Sequence, residues 1–190
     1  MNKELDLNSQ KEFFEAEKLF KEKKLNNSLT HYQNILKKFP NHLAVLNNIG
    51  QIFELQGKYE KAMEAFKKCY EINSNEKIFA HNLANIYFLK KDFVNSMPLL
   101  KKVIDIGLDH EGNCEKYAIC LFNTKAFKET KDFITSIHLK YPKNDLLNRL
   151  LGRSLLNLNS HVEGLKYLQS SHGFIQLSPK LSEIHSIHLL

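Results

Sequence analysis

LAVLNNIGQIFELQGKYEKAMEAFKKCYEINSNE, residues 43–76, decides the fold. Apolar residues recur in it at intervals of three and four, Ile49, Ile52 and Phe53, then Tyr59, Ala62, Met63 and Phe66, which is the spacing of an amphipathic helix. Gly57 interrupts the run, so the stretch reads as two helices joined by a tight turn. Each helix carries one small residue where a bulky one would suit a core-facing stripe, Gly50 on the first and Ala62 on the second.

Outward from this stretch the pattern returns every 34 residues in both directions. Gly50 belongs to a column of small residues, Ala16, Gly50, Ala84, Ala118 and Gly152, and three positions on runs a bulky one, Leu19, Phe53, Tyr87, Leu121 and Leu155. A second small column, Ser28, Ala62, Ser96, Thr130 and Gly164, is followed four residues later by Tyr32, Phe66, Leu100, Ile134 and Leu168. The register holds through five units without insertion or deletion, and it predicts helices over 9–22, 25–38, 43–56, 59–72, 77–90, 93–106, 111–123, 127–140, 145–157 and 161–173. Polar pairs mark the turn in other units, Asn26-Asn27, Lys90-Lys91 and Asn159-Ser160, while Phe39-Pro40-Asn41 and Tyr141-Pro142-Lys143 separate one unit from the next. Small residues at two fixed positions per unit imply that paired helices cross closely there. A mid-helix glycine costs about 0.5 to 1 kcal/mol relative to alanine, so Gly50 and Gly152 require such a compensation. Pro98, inside the sixth predicted helix, is the weak point of that helix.

Composition agrees with a folded helical protein. Hydrophobic residues are 43% and charged residues 25% of the 190, and only seven glycines and four prolines supply turns. No apolar run is long enough to span a bilayer and the first residues have no apolar signal core, so the expected location is cytoplasmic. Three cysteines, Cys69, Cys114 and Cys120, have neither the number nor the spacing of a disulfide framework or a zinc knuckle and read as buried hydrophobes. The net charge of +6 raises nucleic acid as a partner, but its carriers are almost all lysines scattered along the chain, with Arg149 and Arg153 the two arginines. That distribution reads as a solvated surface. No phosphate loop, dinucleotide fingerprint, nucleophile elbow or metal-binding spacing is present, and Ser170-Ser171-His172-Gly173 reads as a frayed helix end with no orienting third group. The expectation is therefore a protein that is not an enzyme and needs no cofactor or metal.

The run Leu46, Ile49-Gly50, Phe53, Tyr59, Ala62, Phe66, Cys69 resembles the tetratricopeptide repeat signature, and Ala80, Leu83-Ala84, Tyr87, Phe93, Ser96 is similar to it. The resemblance covers residues 9–178 as five units, 9–42, 43–76, 77–110, 111–144 and 145–178. They follow an N-terminal tail, 1–8, and precede a C-terminal capping helix, 179–190, that ends on an apolar tail. It implies an all-α fold, a right-handed α-α superhelix of five helical hairpins. Departures are Glu12 and Glu15 at usually apolar positions, read here as the solvated face of a terminal repeat, and Leu108 and Gln176 at the usual proline.

The family's fold further implies a concave wall built from the first helix of each unit. The inner positions are then Phe13, Phe14, Glu17, Asn47, Asn48, Gln51, His81, Asn82, Asn85, Phe88, Lys116, Ile119, Phe122, Arg149 and Arg153, all expected to be open to solvent. Asn48 and Asn82, one period apart, resemble two rungs of the asparagine ladder in the repeat domain of the transferase that attaches N-acetylglucosamine to Ser and Thr. An amide offers donor and acceptor together, the match for an extended peptide backbone. The carboxylate clamp of heat-shock co-chaperones fits poorly, since Asn47, Gln51, Asn82, Gly112 and Lys116 stand at its positions and only Asn82 and Lys116 match. The expected function is a protein-interaction module or scaffold that holds an extended peptide, with an acidic segment near the two arginines; self-association through the apolar tail is a further expectation. The alternative is the repeat region of a larger or separately encoded enzyme, of the glycosyltransferase, methyltransferase or oxygenase class.

Overall fold

A computed structural model describes residues 4–172, and each element in them is an α-helix. These are α1 (Leu7–Lys21), α2 (Leu25–Lys38), α3 (Leu43–Leu55), α4 (Tyr59–Ile72), α5 (Lys77–Leu89), α6 (Phe93–Asp105), α7 (Glu111–Asn123), α8 (Phe127–Ile137), α9 (Asp145–Asn157) and α10 (His161–His172). They group into two compact units, α1–α7 up to Thr124 and α8–α10 from Lys125.

The helices fall where the 34-residue register predicts them, with three differences. α1 begins at Leu7, inside the expected tail 1–8, because the Asp6 carboxylate accepts the Ser9 N–H at 2.7 Å and caps it. Asn26 and Asn27 lie within α2, and the first turn sits earlier, at Glu22–Lys24. α8 stops at Ile137, three residues short of the expected 140. α6 runs through Pro98, whose missing N–H takes a partner from the Val94 carbonyl; both residues are exposed, so the loss falls on the solvent side of the helix. The expected capping helix, 179–190, lies outside the described residues.

The small columns are buried, and the reason is the close crossing that their size implied. A Cβ on Gly50 would stand 2.5 Å from Cε1 of the fully buried Phe66, on the second helix of the same hairpin. The serines of the second column do more than stay small. The hydroxyls of Ser28 and Ser96 donate across the crossing to the carbonyls of Ala16 and Ala84, at 2.8 and 2.9 Å, so each satisfies itself inside the helix pair. In the first unit the core passes directly from one hairpin to the next. Ala16, Tyr32 and Ile35 pack with Val45, Ile49 and Ile52, and Ala62 and Phe66 pack with Leu83 and Ile86. Polar bonds reinforce this: Lys68 donates to the Pro40 carbonyl at 2.8 Å and Lys102 to the Ser74 carbonyl at 2.7 Å, each reaching back to the preceding inter-hairpin turn. Cys69, Cys114 and Cys120 are buried free thiols, and burial pushes Cys69 up to about 12 and Cys120 up to about 11.

Glu12 corrects the sequence reading. Its carboxylate is half-buried, accepts a 3.0 Å bond from the Asn34 amide and lies 3.4 Å from Nδ1 of His31, so it ties α1 to α2 rather than merely facing solvent. Glu15 is exposed as expected.

Every hairpin turn contains one residue at positive φ, and the five stand 34 apart: Lys23 at 60°, Gly57 at 70°, Lys91 at 59°, Lys125 at 62° and Asn159 at 61°. Glycine adopts this conformation freely, asparagine tolerates it, and a lysine is strained by about 1 to 2 kcal/mol. Lys91→Gly is therefore expected to stabilise the protein by about 0.5 kcal/mol once the greater freedom of glycine in the unfolded chain is subtracted. Chemical denaturation of the single variant checks this, and a loss of stability would contradict it.

Candidate functional site

The 34-residue translation places equivalent side chains of α3, α5 and α7 in register within the first unit. Asn47 corresponds to His81, Asn48 to Asn82 and Lys116, Gln51 to Asn85 and Ile119, and Glu54 to Phe88 and Phe122. Polar side chains of these helices bond from one helix to the next. The Asn82 amide donates to the Asn47 Oδ1 at 2.8 Å, and Nδ1 of His81 lies 3.4 Å from Asn82 Oδ1. Farther along, a three-member relay joins all three helices. Asn85 donates to the Glu54 carboxylate at 2.6 Å and accepts from the Lys116 ammonium at 2.5 Å. Lys116 also lies 6.0 Å from the Phe88 ring centroid. Burial draws its pKa below that of an ordinary lysine, with Glu54 pulling the other way. Lys116 is thus a half-buried cation held between an amide and an aromatic face, with a carboxylate one link farther on.

Two of the expected ladder residues are placed differently from the expectation. Asn82 is buried, at 8% exposure, and its amide is spent on Asn47. Asn48 is half-buried and donates at 2.8 Å to the hydroxyl of Tyr32, a fully buried residue whose phenol is pushed up to about 12 by burial, partly offset by the Asn48 bond. The reason is visible in the repeat: Phe66 stands one period after Tyr32 and has no oxygen, so Asn82 turns sideways where Asn48 turns inward. Each of these amides thus has one N–H engaged within the protein, while Asn47, Gln51, His81, Asn85, Phe88, Lys116 and Phe122 are half-buried on the same helices. Glu54 and Tyr32 are the partners that sequence reasoning missed. Glu54 was reachable, since it is the one acid in the column of Phe20, Phe88 and Phe122; Tyr32 was hidden by its place in a core column.

Arg149, half-buried, and Arg153, exposed, stand on α9 in the second unit. That unit also contains a recess of about 310 Å³ lined by His138, Pro142, Lys143, Asp145, Asn148, Tyr167 and Ser170, which sequence reasoning did not find. The hydroxyls of Ser170 and Ser171 donate to the Tyr167 and Leu168 carbonyls of their own helix, consistent with a helix end. No helix among the described residues is long and apolar enough to cross a membrane.

Residues 44–76, the stretch that decided the fold, match the family model of the tetratricopeptide repeat. The second hairpin is a tetratricopeptide repeat. The hairpins around it carry the same fold: the chain is similar to the crystal structure of YrrB, described as a TPR protein with an unusual peptide-binding site, at 14% identity over 84% of this chain and 82% of that one, with a TM-score of 0.77. It is similar also to MamA AMB-1, at 16% identity over 96% of both chains and a TM-score of 0.78, and to a MamA RS-1 double mutant, at 10% identity over 90% and 96% and a TM-score of 0.75. At these identities the likeness speaks for the tetratricopeptide fold. No curated protein sequence matches the chain.

Proposed function

We propose that this tetratricopeptide array is a protein-interaction module that binds an extended segment of a partner along α3, α5 and α7. The observation that carries the reading is the relay Glu54, Asn85 and Lys116 with Phe88 beside it. A cation already oriented by an amide and an aromatic ring, and only half withdrawn from water, meets a carboxylate with little further ordering. Phe88 and Phe122 supply apolar contact on the same helices, the kind that dominates interface energy. The preferred partner segment is acidic, with an Asp, a Glu or a terminal carboxylate at Lys116. Arg149 and Arg153 give the second unit the same preference.

Two variants separate binding from folding. Lys116→Ala removes the cation without opening the core, and partner affinity is expected to fall by about 1 to 3 kcal/mol. Asn48→Ala with Asn82→Ala strips the bonds to Tyr32 and Asn47, so it is expected to lower stability by about 1 to 3 kcal/mol. Pull-down of interacting proteins followed by titration calorimetry, with thermal unfolding alongside, distinguishes them. A partner set and affinity unchanged by Lys116→Ala would remove this helix face as the binding site.

A further inference from the structure

The hairpin turns of the first unit form an edge whose chemistry is used by nothing described so far. The edge consists of the turns Glu22 to Lys24, Gln56 to Lys58 and Lys90 to Asp92 with the helix ends that flank them, from Lys21 to Asn26, Leu55 to Glu60 and Leu89 to Val94. Two cross-links bring them side by side: Gln56 donates to the Asn26 side chain at 3.0 Å, and the Lys90 ammonium lies 2.6 Å from the Glu60 carboxylate. Six lysines stand on the edge, Lys21, Lys23, Lys24, Lys58, Lys90 and Lys91. Lys24 is paired with Glu22 at 2.8 Å and Lys90 with Glu60, and the third acid, Asp92, accepts from the backbone and amide of Asn95. Lys21, Lys23, Lys58 and Lys91 are exposed and in no ion pair among the described residues. Lys23 and Lys91 hold their ammonium groups at the tips of turns in the left-handed conformation that glycine would take without strain.

Between these cations the edge exposes apolar side chains. Leu55 is 65% exposed and Val94 67%, with Leu89 and Tyr59 less so. Leu55 and Leu89 occupy the same place in their hairpins, the last residue of the first helix. An acidic protein segment would satisfy the lysines and leave the leucines at these helix ends in water, and a second copy of the edge would set lysine against lysine. A surface that is anionic at its face and apolar just beneath satisfies both sets at once. We propose that this edge docks on the surface of an anionic lipid bilayer, the four lysines outside ion pairs among the headgroups and Leu55, Leu89 and Val94 at the acyl boundary.

The test is flotation of the full chain with vesicles of phosphatidylcholine alone and of phosphatidylcholine containing phosphatidylserine. Each lysine near an anionic leaflet is worth roughly a fivefold gain in association, so replacing all four (K21Q, K23Q, K58Q, K91Q) is expected to weaken binding to phosphatidylserine vesicles by about several hundredfold. Leu55→Ser with Leu89→Ser is expected to weaken it by about tenfold and to leave the remainder fully sensitive to salt. Unfolding curves of both variants should match the native one, since all six residues are exposed. Absence of phosphatidylserine-dependent flotation, or unchanged flotation of the lysine variant, overturns the proposal. So does binding to soluble polyglutamate as tight as to the vesicles and indifferent to the leucine substitutions, because charge alone would then be what the edge recognises.

Discussion

Gly152→Val is expected to cost about 3 kcal/mol, among the largest effects of any single surface-neutral change in size in this protein. A Cβ on Gly152 would stand 2.8 Å from the Gly164 carbonyl oxygen and 2.8 Å from Cγ of Leu168; a Cβ on Gly164 would stand 2.8 Å from the Gly152 carbonyl oxygen. The obstacle is therefore backbone on both sides, and α9 and α10 must separate to admit even one methyl group. Valine adds two more carbons at a position already closed to the first. Gly112, on α7, provides the contrast: an added Cβ comes no closer than 3.7 Å to anything, so Gly112→Ala is expected to be neutral or to gain roughly 0.5 kcal/mol from helix propensity. Chemical denaturation of both variants checks the pair of signs. Native-like stability of Gly152→Val would mean that α9 and α10 do not cross at these glycines.

Phe66→Ala is expected to cost about 3 to 5 kcal/mol, because the ring is fully buried and lies over Gly50 while also packing with Leu83 and Ile86 of the next hairpin. The same contact predicts a coupling. Gly50→Ala alone sets a Cβ 2.5 Å from a ring that has nowhere to move and should cost about 1 to 3 kcal/mol despite the better helix propensity of alanine. In a Phe66→Leu background the space opposite Gly50 opens, and the alanine should then cost little or stabilise. A double-mutant cycle measures this as an interaction energy of about 1 kcal/mol or more; strict additivity would show that the two positions do not meet.

How far the fold could be read before any coordinates follows from what 34-residue periodicity encodes. Ala16, Gly50, Ala84, Ala118 and Gly152 reveal a helix crossing because only size matters there, and size is visible residue by residue. Helix bounds followed from the same register, and the early start of α1 was the local chemistry of Asp6, three residues before Ser9. The site was less legible. Whether Asn82 faces a ligand or its neighbour depends on Asn47, 35 residues away, and whether Asn48 is available depends on a single oxygen on Tyr32. A column of amides looks the same in sequence whether it is aimed outward or sideways. The relay through Asn85 was hidden for a related reason: its acid, Glu54, and its cation, Lys116, belong to different hairpins and different columns.

Hydrogen bonds that tie one hairpin of the first unit to the next, among them Lys68 to Pro40, Lys102 to Ser74, Gln56 to Asn26, Asn85 to Glu54, Lys116 to Asn85 and Asn82 to Asn47, span only 28 to 35 residues of sequence. Nothing in that set clasps the beginning of the unit to its end. Among its described residues such a unit has no latch that must break first when its ends are drawn apart. A hairpin torn from one side releases only the bonds to its neighbour, and its 34 residues then pay out roughly 110 to 120 Å of extended chain before the next hairpin bears the load. The first unit should accordingly give way under tension stepwise and at low force, and re-coil when the tension is relaxed, as a spring does and a clasped globule does not.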